Sequence, residues 1–157
     1  MGPIWRWPAD LRRSLLAAFL LVAVLLVLGA DPAEASLLHL AGPEPGGLGV
    51  SRGHLSDCPT PSHCARENWR VEDPGAALDQ LLPALLAIEG VDLVESGPLY
   101  LRATATSRLF GFVDDVELHA DPEAGVIEAR SASRLGDSDL GVNARRLARL
   151  RSALPAS

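Results

Sequence analysis

Charged and polar side chains able to bind or transform a ligand are concentrated in one stretch, from Arg130 to Arg146. It combines arginines, acids, serines and two glycines at a predicted junction between a strand and a helix. Backbone N–H groups at a helix start, with arginines beside them, can bind an anion such as a phosphate head group. We therefore predict an anion-binding site whose ligand-binding residues are Arg108, Arg130, Arg134, Asp139 and Asn143.

A second group consists of three carboxylates within four residues, Asp114, Asp115 and Glu117. On a strand, Asp115 and Glu117 share one face and Asp114 points to the other. A buried Asp114 needs a cationic partner, because an unpaired buried charge is very costly; the candidates are Arg108, Arg130 and Arg134. The three acids are candidate catalytic residues, as an acid/base pair or a divalent-cation site. The alternative is a set of structural ion pairs.

The elements that position these residues follow from the hydrophobic pattern. Asp73-Pro74 begins an apolar helix that ends at Gly90, and Leu147, Leu150 and Leu154 indicate a C-terminal helix. Alternating apolar and polar positions predict strands over residues 91–95, 99–107, 112–119 and 126–131. The sequence thus predicts an α+β fold, in which these two helices cover a four-stranded antiparallel sheet.

The opposite face of this sheet is predicted to be polar. It would carry Arg102, Asp115, Glu117, Glu128 and Arg130. Such a face is either a solvated set of cross-strand charge pairs or a ligand-binding surface.

The N-terminal region predicts an export signal or a membrane anchor. Arginines precede an uncharged apolar run from Ser14 to Ala30, which as a helix would be about 25 Å long. Ala33-Glu34-Ala35 fits a signal-peptide cleavage site, whereas an uncleaved run would anchor the chain. We predict a signal peptide or hydrophobic anchor helix over 1–36, a flexible Gly- and Pro-rich linker over 37–57 and a globular domain over 58–154. The domain would then be extracytoplasmic, on the periplasmic side of the inner membrane.

Cys58 and Cys64 are the only cysteines, and an oxidising compartment predicts a disulfide between them. The alternatives are reduced thiols or a zinc site with His54 and His63, although the spacing matches no usual zinc pattern. Residues 137–143 resemble a calcium loop but lack its bidentate glutamate. We expect no metal and no cofactor.

The charge balance argues against nucleic acid as a partner. The net charge is −6, and the 14 basic residues form no continuous basic run. Proteins that bind nucleic acid obtain most of their affinity from phosphate neutralisation, which this composition does not favour.

Two segments resemble a known family. Ser107-Arg-Leu-Phe-Gly-Phe-Val-Asp-Asp-Val-Glu117 and Arg130-Ser-Ala-Ser-Arg-Leu-Gly-Asp-Ser-Asp-Leu-Gly-Val-Asn143 are similar to signature blocks of the domain of unknown function 1499 (DUF1499) family. Cys58-Pro-Thr-Pro-Ser-His-Cys64 is a weaker match. The resemblance covers about Cys58 to Leu154. It implies a domain often preceded by a membrane or export segment, and it carries no assigned activity.

These observations favour a membrane-tethered, extracytoplasmic domain without catalytic activity. It would bind an anionic small molecule, a lipid head group or an envelope protein, with the membrane contacted through the N-terminal helix. Two alternatives stay open. One is an enzyme that uses the carboxylates and arginines, or a metal-dependent hydrolase. The other is a structural component of the cell envelope.

Overall fold

The computed structural model describes residues 40–155. The predicted signal peptide or anchor over 1–36 lies outside this range. Among the described residues, no helix combines the length and hydropathy needed to span a bilayer.

A five-stranded antiparallel sheet forms the centre of the described region, in the order β3-β7-β6-β5-β4. The strands are β3 (Cys64–Arg70), β4 (Val91–Ser96), β5 (Tyr100–Thr106), β6 (Val113–Asp121) and β7 (Val126–Ser133). The α+β class is confirmed, but the prediction of four strands is wrong by one. The missed strand is β3, an edge strand with the sequence Cys-Ala-Arg-Glu-Asn-Trp-Arg. Its polar content hides the alternation, since only Cys64 and Trp69 are buried.

Two helices pack on one face of the sheet: α1 (Pro74–Leu86) and α2 (Val142–Arg151). Asp73 caps α1, where its Oδ1 accepts a hydrogen bond from the Ala76 N–H at 3.0 Å. Leucines at helical spacing place one apolar stripe of each helix on the sheet. The core they form contains Leu78, Leu81, Leu85, Leu101, Val116, Leu118, Ile127, Leu147 and Leu150.

The other face of the sheet is closed by the residues that precede it. Residues 40–57, which we call the cover segment, contain a small hairpin of β1 (Val50–Ser51) and β2 (His54–Leu55). The sequence predicts a flexible linker over 37–57, whereas residues 49–55 bond directly to the sheet. The Leu55 side chain is buried, and the Gly49 N–H donates to Glu117. The glycines of the cover segment permit tight, ordered backbone turns as readily as they permit flexibility. Composition alone therefore cannot tell an ordered segment from a flexible one.

Candidate functional site

The polar face of the sheet, which we call the charged face, carries ion pairs beneath the cover segment. Strand alternation places Asp115, Glu117 and His119 of β6 on this face, beside Glu128 and Arg130 of β7. The prediction that this face is polar holds, but the solvated alternative does not. Glu117 is 0% exposed and Asp115 is 1% exposed. Charges buried this deeply must be paired, because desolvation of an isolated ion is costly.

Glu117 lies at the centre of the charged face and accepts three hydrogen bonds. Its Oε2 accepts from Arg130 Nη1 at 2.8 Å, and its Oε1 accepts from the Tyr100 hydroxyl at 2.8 Å and the Gly49 N–H at 2.7 Å. Burial, with the Glu117 carboxylate beside it, raises the pKa of Tyr100, so the phenol stays protonated and donates. Glu117 therefore joins three strands to the cover segment.

Asp115 and Arg134 form a two-point ion pair. Arg134 Nε and Nη2 donate to the two Asp115 oxygens at 2.9 and 2.8 Å. The hydrogen bond to Asp115 raises the pKa of Arg134 and outweighs the opposing effect of burial. Glu44 of the cover segment lies near the same arginine, with Oε2 3.9 Å from Arg134 Nη2, and its Oε1 lies 3.2 Å from Arg102 Nη1.

Glu128 holds the hairpin of the cover segment on the sheet. Its oxygens accept from the Leu55 N–H at 2.7 Å and from Arg66 Nη2 at 3.1 Å, and one lies 2.9 Å from His54 Nδ1. Burial alone would raise the pKa of Glu128, but these contacts together hold it below its ordinary value. His119 Nδ1 lies 3.6 Å from Glu128 and, within residues 40–155, has no hydrogen-bond partner.

Asp114 points to the helix-covered face, as strand alternation predicts. Its partner is not one of the three predicted arginines. Arg146 of α2 donates from Nη2 to Asp114 Oδ2 at 2.8 Å, because α2 crosses this side of the sheet. Arg108 is exposed on a turn and lies 3.1 Å from Glu89.

The start of α2 is held by the chain's own side chains. Asp139 Oδ1 accepts from the Gly141 N–H and its Oδ2 from the Asn143 N–H, both at 2.8 Å. Burial would raise the pKa of Asp139, but these backbone donors lower it overall. Asn143 is fully buried and bonds to Ser131, Ser133 and the His63 carbonyl.

The five predicted ligand-binding residues therefore do not form one cluster. Arg130 and Arg134 lie on the charged face, Asp139 and Asn143 lie at the start of α2 on the other side, and Arg108 lies apart. Sequence reasoning missed the roles of Glu44, Tyr100 and His54. Tyr100 was recognisable from strand alternation. His54 was considered only as a zinc ligand, and no pattern in the cover segment indicated Glu44.

Cys58 and Cys64 form the predicted disulfide. Two carbonyls of the loop between them accept hydrogen bonds. The His63 carbonyl accepts from the Ser133 N–H at 2.9 Å, and the Ser62 carbonyl accepts from the Asp139 N–H at 3.0 Å. Bonded cysteines cannot serve as thiolate ligands, which removes the zinc alternative. In the range 40–155, no three His, Cys, Asp or Glu side chains are grouped to hold a metal ion.

Shallow clefts lie at the margins of the charged face. One of about 600 Å³ is lined by His54, Leu99, His119 and residues 120–124. Another of about 350 Å³ lies beside Arg66 and Glu128. Neither cleft is lined by Asp114, Asp115 or Glu117.

A group of exposed apolar side chains lies at one end of the sheet, on two loops and at the first residue of α2, and we call this the apolar end; others lie elsewhere, for example Leu93 and Val94 on β4. The side chains at the apolar end are Leu109, Phe110, Leu135, Leu140 and Val142. Residues 107–112 join β5 to β6, and the loop after β7 lies beside them, because the Arg134 N–H donates to the Val113 carbonyl at 3.0 Å. Leu140 is 85% exposed and has a positive φ of 53°.

These features define a small α+β domain with helices on one face of its sheet and a covered, ion-paired second face. A family model described as "Protein of unknown function (DUF1499)" matches residues 49–154, which is more than half of the chain. The chain belongs to this family, which confirms the resemblance read from the sequence. Among curated proteins, none matches this chain.

Proposed function

We propose that this chain is a membrane-tethered, extracytoplasmic domain that rests its apolar end on the lipid surface and acts by binding, without catalysis. The observation that carries the proposal is the concentration of exposed apolar side chains at the apolar end. Isolated exposed leucines are common on protein surfaces, but a group on adjacent loops indicates an interaction site.

The position at which the cover segment begins supports a lipid surface as the partner of the apolar end. The cover segment begins at the apolar end, where a Cβ added to Gly42 would lie 2.7 Å from Leu135 Cγ. The uncharged run over 14–30 precedes it by a short stretch, residues 31–39, whose extended reach is about 30 Å. If the run anchors in a bilayer, a stretch of this length would hold the domain near the same bilayer.

The backbone at Leu140 supports the same assignment. A left-handed conformation costs a non-glycine residue about 1–2 kcal/mol. Here hydrogen bonds hold that conformation, since the Leu140 carbonyl accepts from Arg145 Nη1 at 2.9 Å and its N–H donates to Ser138 Oγ at 3.3 Å. The result is a large apolar side chain presented to solvent. Strain of this kind persists where a binding function uses it.

An enzyme based on the three acids is the weaker alternative. Asp114, Asp115 and Glu117 each lie 2.8 Å from an arginine nitrogen, so each is already paired with a cation of the fold. Removing one partner would leave a buried unpaired charge, which supports a structural role for these pairs.

Flotation of residues 36–157 with phospholipid vesicles tests the proposal, since these residues form a compact unit of their own. Burying one leucine stabilises by about 1.5–3 kcal/mol, so Leu140→Ser and Phe110→Ser should each lower the partition coefficient about tenfold. Leu99→Ser is the matched control, because Leu99 is also exposed but lies at the opposite end of the sheet. Equal partitioning of all variants would reject the lipid surface and favour a structural role in the cell envelope.

A further inference from the structure

Arg102 and Arg134 present their guanidinium groups to one point beneath the cover segment. Their side chains are only 15% and 11% exposed; Arg102 lies on β5 and Arg134 directly follows β7. The group at that point is the Glu44 carboxylate, whose side chain is 56% exposed. We infer that Arg102 and Arg134 form a binding site for a singly charged oxyanion, the phosphodiester of an anionic phospholipid, and that Glu44 occupies this site when no ligand is bound.

Glu44 differs from the carboxylates that belong to the fold. Asp115, Glu117 and Glu128 lie on strands, are 3% exposed or less, and each accept at least two hydrogen bonds. Glu44 instead follows Pro43 in an irregular part of the cover segment. Its oxygens lie 3.2 and 3.9 Å from the two arginines. It is therefore a weakly held occupant of a rigid pair of cations.

Arg102 Nη1 gives a second, independent sign that Glu44 does not fully satisfy the site. This nitrogen is buried and, among residues 40–155, makes no hydrogen bond, although Glu44 Oε1 lies 3.2 Å away. A buried donor without a partner destabilises the protein, and a ligand oxygen of better geometry would remove that cost. Phosphate oxygens are spread tetrahedrally, so one group can meet both guanidinium planes, which a single carboxylate does poorly here.

The surrounding charges limit the ligand to about one negative charge. Asp115 already neutralises Arg134 by two hydrogen bonds. In the part of the chain that the structure describes, the only carboxylate besides Glu44 within 4 Å of Arg102 is that of Glu95, at 3.9 Å, and Glu95 is largely exposed. Arg102 is thus the cation that is left incompletely matched when Glu44 leaves. A phosphodiester fits this balance better than a multiply charged phosphate does.

The position of the site identifies the source of the phosphodiester. Gly42, two residues before Glu44, packs against Leu135 and the Arg134 side chain at the apolar end. A lipid phosphate bound here would have its acyl chains beside the exposed leucines. This assignment of the source rests on the function proposed above, whereas the oxyanion site itself does not.

The test is a titration of the full-length chain in neutral detergent micelles, followed by intrinsic fluorescence and by thermal stability. The probes are dihexanoyl phosphatidylglycerol, dihexanoyl phosphatidylcholine and inorganic phosphate. We expect Glu44→Gln to strengthen phosphatidylglycerol binding about fivefold, because it removes the internal competitor. Arg102→Gln should weaken binding at least tenfold. Phosphatidylcholine carries the same phosphodiester beside a choline cation, so it should bind more weakly than phosphatidylglycerol and respond to both changes in the same direction. Arg70→Gln is the control, since it removes an exposed arginine at the opposite end of the sheet from the apolar end.

The outcomes separate the two proposals. Unchanged or weaker binding by Glu44→Gln overturns the oxyanion site, and this variant gains affinity only if it is folded. Inorganic phosphate that binds as tightly as phosphatidylglycerol, with the same response to Glu44→Gln, supports the site and overturns its assignment to lipid. Loss of vesicle partitioning in Leu140→Ser with an unchanged Glu44→Gln titration supports the lipid surface alone.

Discussion

Single side chains on the charged face contribute to stability through pairing rather than through exposure to a ligand. Asp115 and Glu117 are paired with arginines in positions from which water is almost excluded. A buried pair adds little net stability compared with apolar residues of the same volume, but breaking one is severe. The acids and arginines in the two signature segments therefore act first as determinants of the fold.

Arg134→Ala should destabilise the domain strongly. It leaves Asp115 buried without either of its two donors, which costs about 3–5 kcal/mol. Urea denaturation measures the change, and Arg108→Ala, at an exposed arginine, should alter stability by less than about 0.5 kcal/mol. If Arg134→Ala also changes the free energy of unfolding by no more than the Arg108→Ala control does, the pair with Asp115 is dispensable.

Glu128 predicts how stability depends on acidity. Its folded pKa lies below its ordinary value of 4.5, so its contribution is complete above that pH and is lost as the pH falls through the folded pKa. Between pH 7 and pH 3, the urea midpoint of Glu128→Gln should start lower and fall less than that of the wild type. Glu123→Gln, at an exposed turn, is the control. If the urea midpoints of Glu128→Gln and the wild type fall in parallel with pH, Glu128 is not the source of the acid sensitivity.

At the scale of elements, the sequence predicted what has periodicity and missed what has none. The helices and four strands follow from leucines at helical spacing and from apolar alternation, and the structure contains them. β3 was missed because an edge strand next to solvent tolerates charges at most positions. The cover segment was misread because its order comes from side chains far along the chain, Glu117 and Glu128, which local composition cannot reveal.

The same limit, that local sequence cannot reveal contacts with distant residues, explains which parts of the candidate site could be predicted. The two faces of β6 could be predicted, because alternation fixes which carboxylates share a side. The partners could not be predicted, because Arg146 reaches Asp114 only through the path that α2 takes across the sheet. The position of Glu44 between two arginines depends on the fold of a segment that has no regular pattern.

The disulfide loop should stabilise both the edge of the sheet and the start of α2. Cys58→Ser with Cys64→Ser should lower the free energy of unfolding by about 2 kcal/mol, as expected for so short a closed loop. Denaturation with and without reductant measures this. The wild type should lose about as much on reduction as the double variant loses by mutation, and the double variant should not respond to reductant. A wild type that is unaffected by reduction would contradict a stabilising role.

At the scale of the whole molecule, the proposed localisation predicts where the full-length chain is found and in which redox state. Expressed in a bacterial host, the chain should sediment with membranes, and denatured samples should resist thiol alkylation until a reductant is added. Cys58→Ser, which leaves one thiol, is the control for the reaction. Free thiols in the wild type would contradict an extracytoplasmic domain. A soluble product cut after Ala35 would instead identify residues 1–35 as a signal peptide.

The pairing of β3 with β7 has a consequence for how the chain is made. The first strand of the large sheet finds its partner only in the last strand, more than fifty residues later. A chain that crosses a membrane N-terminus first would therefore expose β3 long before β7 arrives, and no shorter length can close the sheet. Contacts this distant along the chain slow folding, because the intervening loop must close first. If the chain is exported as proposed, β3 would therefore stay unpaired until nearly the whole domain has emerged.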